Sequence, residues 1–326
     1  MNALVRSAGF LTSVQDLGRT GYRQSGVSVG GALDSFALRV ANALVGNEDG
    51  AAGLEATLGT LRLRFNDQRV VAWCGGGFTV RIGDGELPPG HAGRVAKDEE
   101  LVMTAPQTGS RAWLAISGGI NVPLVLGSRS TDLRGNFGGH EGRPLHDGDT
   151  LPLGDDGGLK TAAPWKNRKI AEWTAPTPWV TTARRDRFLR IVRGPEWNRF
   201  TSNAQASLVA TAFTVTPDSD RMGARLDGPP LDRTDPGDLL SEAVAPGTLQ
   251  VPPNGQPILL LGDCQTIGGY PKIAHVITVD LPIAAQLWPG DLVRFHEVPL
   301  TEAQELLRER EENYARFRVG LSLHTS

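Results

Sequence analysis

Gly59-Thr60-Leu61-Arg62-Leu63-Arg64-Phe65 alternates apolar and basic side chains with a period of two, as a strand buried on one face requires. Working outward, residues 70–73 read as a second strand ending in the turn Cys74-Gly75-Gly76-Gly77. Residues 78–82, 100–104 and 112–116 read as further strands, and Ser117-Gly118-Gly119-Ile120 closes the set. Upstream, residues 4–11 suit an opening strand, followed by a polar, glycine-punctuated loop over 15–23. Downstream, residues 190–193 and 211–216 restart the β pattern. With 40 glycines, 22 prolines and short apolar runs, the chain favours strands and turns over long helices.

Two helices are expected. Asp34 is placed to cap the first, where Phe36, Leu38, Val40, Ala41, Leu44 and Val45 fall at helical spacings before Gly46. Arg39 and Asn42 share a face of it. The second covers residues 302–317, apolar on one side and charged elsewhere. Residues 127–149 read as one long ordered loop ending at Asp147-Gly148-Asp149. The prolines, lysines and tryptophans of 157–182 show no periodicity and suit a connection between domains.

The deciding stretch recurs. Gly59-Thr60-Leu61-Arg62-Leu63 is echoed by Gly247-Thr248-Leu249-Gln250-Val251, with Glu55 and Glu242 a few residues ahead. Gln68 then matches Gln256, strand 70–73 matches 258–261, and Cys74 falls close to Cys264. Glu100-Leu101-Val102 returns as Asp291-Leu292-Val293. One common order of short matches implies two related β-rich domains, over 1–156 and 183–300, with the helix and tail over 301–326.

A chain of 326 residues, 40% hydrophobic and 21% charged, suits two globular domains. A net charge of -3 argues against nucleic-acid binding, which calls for a basic stripe. Two cysteines make no disulfide framework. No signal-like start and no apolar run long enough for a membrane span is found, so a reducing, cytoplasmic setting is expected.

The richest chemistry lies between the apolar runs 258–261 and 276–279. There Asp263, Cys264, Gln265, Gly268, Gly269, Tyr270, Lys272 and His275 crowd what reads as a loop between strands. The matching turn after Cys74 is almost bare of functional groups, so the scaffold alone does not demand them. Of the chain's five lysines, only Lys272 falls here. A hairpin whose polar groups face water is the plainer reading. P-loop, zinc-finger, His-Glu-x-x-His and Gly-x-Ser-x-Gly patterns are all missing, and His140, Glu141, His146 and Asp147 suit a solvated loop better than a metal site. Arg19, Arg23, Arg39, Arg221 and Arg225 suit carboxylate or phosphate binding, although surface pairing with acids is the commoner use. Lys272 would add a point charge, and Asp263 or His275 could exchange protons.

Several blocks, in order, resemble the family of 5-oxoprolinase C-type subunits, also called KipA, allophanate hydrolase subunit 2, or the biotin-dependent carboxyltransferase-like family. They are Val14-Gln15-Asp16-Leu17-Gly18-Arg19, Gly30-Gly31-Ala32-Leu33-Asp34, Arg39-x-x-Asn42, Leu44-Val45-Gly46-Asn47, Leu54-Glu55, Leu126 to Leu133, Ser219 to Leu226 and Gln265 to Lys272. The chain departs from the pattern at Ile267, where a hydroxyl residue is usual, and at Gly30-Gly31, where Ser-Gly is commoner. The resemblance implies a mainly β fold of two related cyclophilin-like β-barrel domains with a few short helices. It further implies two partner subunits, a KipI-like B type and an A type, and the ATP-dependent opening of 5-oxoproline to glutamate, with ATP shared among them. No biotin-attachment segment is seen. In that reading Arg19, Asp34, Arg39, Asn42, Arg221, Arg225, Gln265 and Tyr270 bind substrate, while Asp263, Lys272 and His275 stand at the reacting amide. Two alternatives stay open: the carboxyltransferase part of a urea or amide carboxylase, and a non-catalytic regulator of a KipI-like protein.

Overall fold

The computed structural model describes residues 1–106, 108–155, 169–180, 186–235, 237 and 239–325. The chain is mainly β and divides into two compact units. The first comprises Met1–Arg19, Gly30–Ala183 and Asn313–Ser326, and the second comprises Thr20–Val29 and Arg184–Glu312.

In the first unit the alternating stretch becomes strand Leu61–Phe65, whose Leu61, Leu63 and Phe65 are buried while its arginines are exposed. It pairs antiparallel with Asn2–Ala8 and Glu100–Thr104 in a six-stranded sheet. A second six-stranded sheet runs Ile170–Thr174, His91–Val95, Arg69–Gly75, Arg111–Ile116, Gly53–Thr57, Leu11–Gln15. Val5, Leu63 and Leu101 from the first sheet share one core with Leu54, Trp73 and Leu114 from the second. Trp73 and Leu114 bring large apolar areas, and each fully buried aliphatic side chain contributes about 1.5–3 kcal/mol. Glu55 is buried at its edge with its donors supplied, accepting from Leu33 N and Trp113 Nε1, both at 2.9 Å.

The first helix is Ser35–Leu44, capped as expected by Asp34, whose carboxylate accepts from Ala37 N at 2.8 Å. Gly31 (φ +85°) closes the preceding turn against the main chain, where a Cβ would stand 2.7 Å from Gly18 N. The segment expected to be a connection is partly otherwise. Residues 157–168 and 181–182 lie outside the described residues, but Ile170–Thr174 is an edge strand paired with His91–Val95. Its backbone groups complete the sheet of the first unit.

The second unit is a closed barrel of seven strands, in the order Asp186–Arg193, Lys272–Val276, Thr248–Gln250, Ile258–Leu260, Gly223–Asp227, Phe213–Val215, Leu292–Glu297. Leu292–Glu297 returns parallel to Asp186–Arg193 and closes it, so these strands have no free edge. Residues 20–29 belong to this unit because the Arg23 guanidinium donates to the carbonyl of Val244 and, at 3.4 Å, to that of Thr266.

The repeated segments are strands in both units, with different neighbours. Leu61–Phe65 pairs with Asn2–Ala8 and Glu100–Thr104, whereas Thr248–Gln250 pairs with Ile258–Leu260 and Lys272–Val276. Helix Ser202–Ala210 escapes the sequence pattern because it buries only Ala204 and Leu208, one short stripe behind the Thr201 cap. The terminal helix, Leu300–Thr325, is longer than the expected 302–317. Within the first unit its end packs Tyr314 and Phe317 around Trp179, while Phe36 meets Trp179 edge-on at 5.3 Å. No helix among the described residues is long and apolar enough to cross a membrane.

Candidate functional site

A cavity of about 200 Å³ opens on the second unit, with Arg225, Gln250, Gln265 and Tyr270 in its wall. Strand register builds it. Across three neighbouring strands Ala224, Leu259 and Leu249 stand opposite one another and are fully buried. One residue along, Arg225, Ile258 and Gln250 form the next row, and period-two alternation turns this row to the opposite face, where the cavity lies. Asp218 and Asp220 from the turn ahead of Gly223–Asp227 complete the rim. Asp220 Oδ1 is occupied by Met222 N at 2.8 Å and Gly223 N at 3.2 Å. Arg225 N donates to Ser219 Oγ at 3.0 Å, while its guanidinium has no ion-pair partner among the described residues.

The segment read as one loop from 262 to 275 is shorter than that. Ile267–Gly268 pairs with Glu242–Ala243 in a two-stranded ribbon, and strand Lys272–Val276 begins four residues earlier than the apolar run suggested. Lys272 and His275 are therefore barrel-strand residues, drawn in by the apolar partners Ile273 and Ala274, which are fully buried. Gln265 and Tyr270 flank the ribbon and reach the cavity, but Asp263, Lys272 and His275 do not line it.

Those three have other partners. Asp263 takes Arg221 in a two-pronged pair, Nε to Oδ2 at 2.8 Å and Nη2 to Oδ1 at 3.1 Å. Lys272, 5% exposed, donates to Glu242 Oε2 at 2.9 Å and lies 3.3 Å from Glu196 Oε2. Burial works against its charge, but Glu242 and Glu196 outweigh this and raise its pKa, so it stays an ammonium at neutral pH. His275 Nδ1 lies 3.2 Å from Thr248 Oγ1. Burial, then the nearby Lys272 charge, lowers its pKa below 6.5.

A depressed histidine pKa means that the unfolded chain binds more protons in acid, so stability falls as pH drops below about 6.5. The denaturant midpoint of His275→Gln is therefore expected to fall less than that of the wild type between about pH 7 and about pH 5. Parallel midpoint curves for the two proteins would contradict this.

Arg19, Asp34, Arg39 and Asn42 belong to the first unit and serve its framework. Arg19 is fully buried, donates to the Ser130 carbonyl at 2.5 Å and lies 4.8 Å from the Phe137 ring centre. Asp34 caps its helix. Arg39 pairs with Asp49 at 3.2 Å and lies over the Tyr314 ring at 4.3 Å. Asn42 donates to the Ala51 carbonyl at 2.8 Å and accepts from Asn47 at 3.0 Å. Asp16, which in sequence is one letter of a motif, is the hub of this region. Its carboxylate accepts from Ser128 Oγ, Ser130 Oγ, Gly18 N and Arg129 N at 2.7, 2.5, 2.7 and 2.6 Å.

Gln250 is a cavity residue that sequence reasoning missed. Its signal was present in the repeat, where it matches Arg62, a half-exposed surface residue 3.9 Å from Glu100. An amide in place of an arginine at the same offset marks a position with a different duty. Among the described residues no group of three His, Cys, Asp or Glu side chains is placed to hold a metal; His140 lies 3.6 Å from Asp149, which Arg143 holds at 2.7 Å. Arg143, foremost, keeps the Asp149 pKa down at about 2.

The barrel thus carries a small cavity walled by the Gln250 and Gln265 amides and by Arg225, which has no ion-pair partner among the described residues. The chain belongs to the carboxyltransferase domain family: the family model described as carboxyltransferase domain, subdomain A and B, matches residues 25–297. Among its relatives is the C-type subunit of 5-oxoprolinase from Escherichia coli (strain K12), 40% identical over 94% of both chains. That of Haemophilus influenzae is 36% identical over 92% of both. The crystal structure of the Kluyveromyces lactis urea carboxylase superposes with a TM-score of 0.88 at 29% identity, over 97% of this chain and 29% of that one.

Proposed function

We propose that this chain is the C-type subunit of an ATP-dependent 5-oxoprolinase, which opens 5-oxoproline to glutamate together with two partner subunits, a KipI-like B type and an A type. The observation that carries this reading is the 40% identity to the Escherichia coli 5-oxoprolinase component over 94% of both lengths. The urea carboxylase, by contrast, carries the similar region within a much larger chain. Opening a lactam places negative charge on its oxygen, and the amide donors and the Arg225 guanidinium of the cavity suit that charge. Asp263 and Lys272 act from behind the wall: Arg221–Asp263 and Lys272–Glu196 hold the segment that carries Gln265 and Tyr270. ATP is shared with the partner subunits, in a reducing, cytoplasmic setting.

Purified complex of the three subunits is expected to release glutamate from 5-oxoproline with ATP, and to lose that activity when this chain is left out. No glutamate from the full complex would overturn the proposal. The likeness to the urea carboxylase favours a second reading, carboxyl transfer to a small amide from a biotinylated carrier on another chain. ATP-dependent carboxylation of urea, with no glutamate from 5-oxoproline, would select it.

A further inference from the structure

We infer that Gln265 reads the cis N–H and C=O edge of a small amide, and that Gln250 is the positioning residue that fixes which way the Gln265 carboxamide points. The inference rests on the proposed function for the lactam as substrate, and it assigns that recognition to one side chain.

The orientation follows from the hydrogen bonds. Gln250 is 1% exposed, and its side chain lies 3.3 Å from the Tyr270 carbonyl oxygen. A carbonyl only accepts, so the Gln250 nitrogen faces Tyr270 and its oxygen faces the other way. That oxygen stands 3.1 Å from Gln265 and accepts from its Nε2. The chain of bonds therefore starts at a backbone atom and leaves no freedom to flip either amide without pairing oxygen with oxygen. Gly268 presses on the pair: a Cβ there would stand 2.6 Å from Gln250 Nε2 and 3.3 Å from Gln265 Nε2.

With one N–H taken by Gln250, Gln265 keeps its second N–H and its Oε1, and neither has a partner among the described residues. A ligand whose N–H and C=O lie on one edge can meet both at once, its N–H donating to Oε1 and its oxygen accepting from Nε2. Lactams and urea share that edge. An ordinary trans peptide does not present it, nor does a lactam methylated on nitrogen, which has no N–H. The cavity, at about 200 Å³, is of a size for a small compound of this kind. Two directional hydrogen bonds would discriminate among such compounds more sharply than apolar contact with Ile258 and Leu260.

The test compares 5-oxoproline, N-methyl-5-oxoproline and urea as ligands of the assembled complex, by equilibrium binding and by KM where turnover occurs. Wild type is expected to prefer 5-oxoproline over its N-methyl analogue by roughly ten-fold or more. Gln265→Leu and Gln250→Leu should both erase that preference, while thermal melts report whether the fold is kept. Gln250→Glu should lose it as well, because it replaces the Gln250 nitrogen with a carboxylate oxygen that would face the Tyr270 carbonyl. Urea tells the two amide sources apart: a preference for urea over 5-oxoproline assigns the edge to urea and leaves the Gln265 role intact. A wild type that fails to distinguish the N-methyl analogue, or variants that weaken every ligand equally, would overturn the inference. Missing glutamate release with the preference intact would instead count against the proposed function alone.

Discussion

Arg221→Leu is expected to lower the unfolding free energy of the second unit by about 3–5 kcal/mol, the cost of taking a two-pronged guanidinium from a largely shielded carboxylate. Arg221 is 5% exposed and Asp263 keeps only 13% of its side chain in water, so solvent cannot replace the lost guanidinium. The attraction itself is not the source of that cost. Desolvating both ions offsets most of the Coulomb gain, and the penalty comes from removing one charge while the other stays in place. The double variant Arg221→Leu/Asp263→Leu should therefore recover much of the loss. Chemical denaturation of the two proteins gives the comparison. A single variant that loses less than about 1 kcal/mol would mean that water reaches Asp263, as in an exposed pair. Because Asp263 stands two residues before Gln265, KM for 5-oxoproline should rise in the single variant as well.

Asp16→Ala should destabilise the first unit by a similar amount, about 3–5 kcal/mol. Its carboxylate accepts four short hydrogen bonds, two from hydroxyls and two from backbone N–H groups. Bonds to a charged group contribute about 1.5–3 kcal/mol each, and four at one site do not add in full. Ser128 and Ser130 are fully buried, so their hydroxyls would be left without acceptors. Asp16→Asn should fall between, because one amide nitrogen would face donors that need an oxygen. Denaturant midpoints of the three proteins provide the check, and an alanine variant as stable as the asparagine one would contradict the hub role.

Local rules carried most of the fold. Alternation at 61–65 predicted a half-buried strand, and the structure has Leu61–Phe65 with that burial. Asp34 read as a cap and is one. The Thr201 helix failed because a nine-residue helix with two buried side chains has almost no period to detect. Strand Lys272–Val276 was misplaced because a buried lysine looks polar in sequence, while in the barrel Glu196 and Glu242 make its burial tolerable.

For the site, residue type was legible and assignment was not. Gln265, Tyr270 and Arg225 were singled out from the sequence and meet at one cavity, whereas Arg19, Asp34, Arg39 and Asn42 bind their own framework. Arginine and aspartate look the same in sequence whether they wait for a ligand or satisfy each other. By itself the sequence determined the mainly β class, the first helix with its cap and the family, since these follow from short-range periodicity and ordered motifs. Only the tertiary structure decided that Ile258 stands between Gln250 and Arg225 in one row, and that Arg221 pairs with Asp263. Those pairings depend on strand register between segments far apart in the chain, where a one-residue slip turns every side chain to the other face.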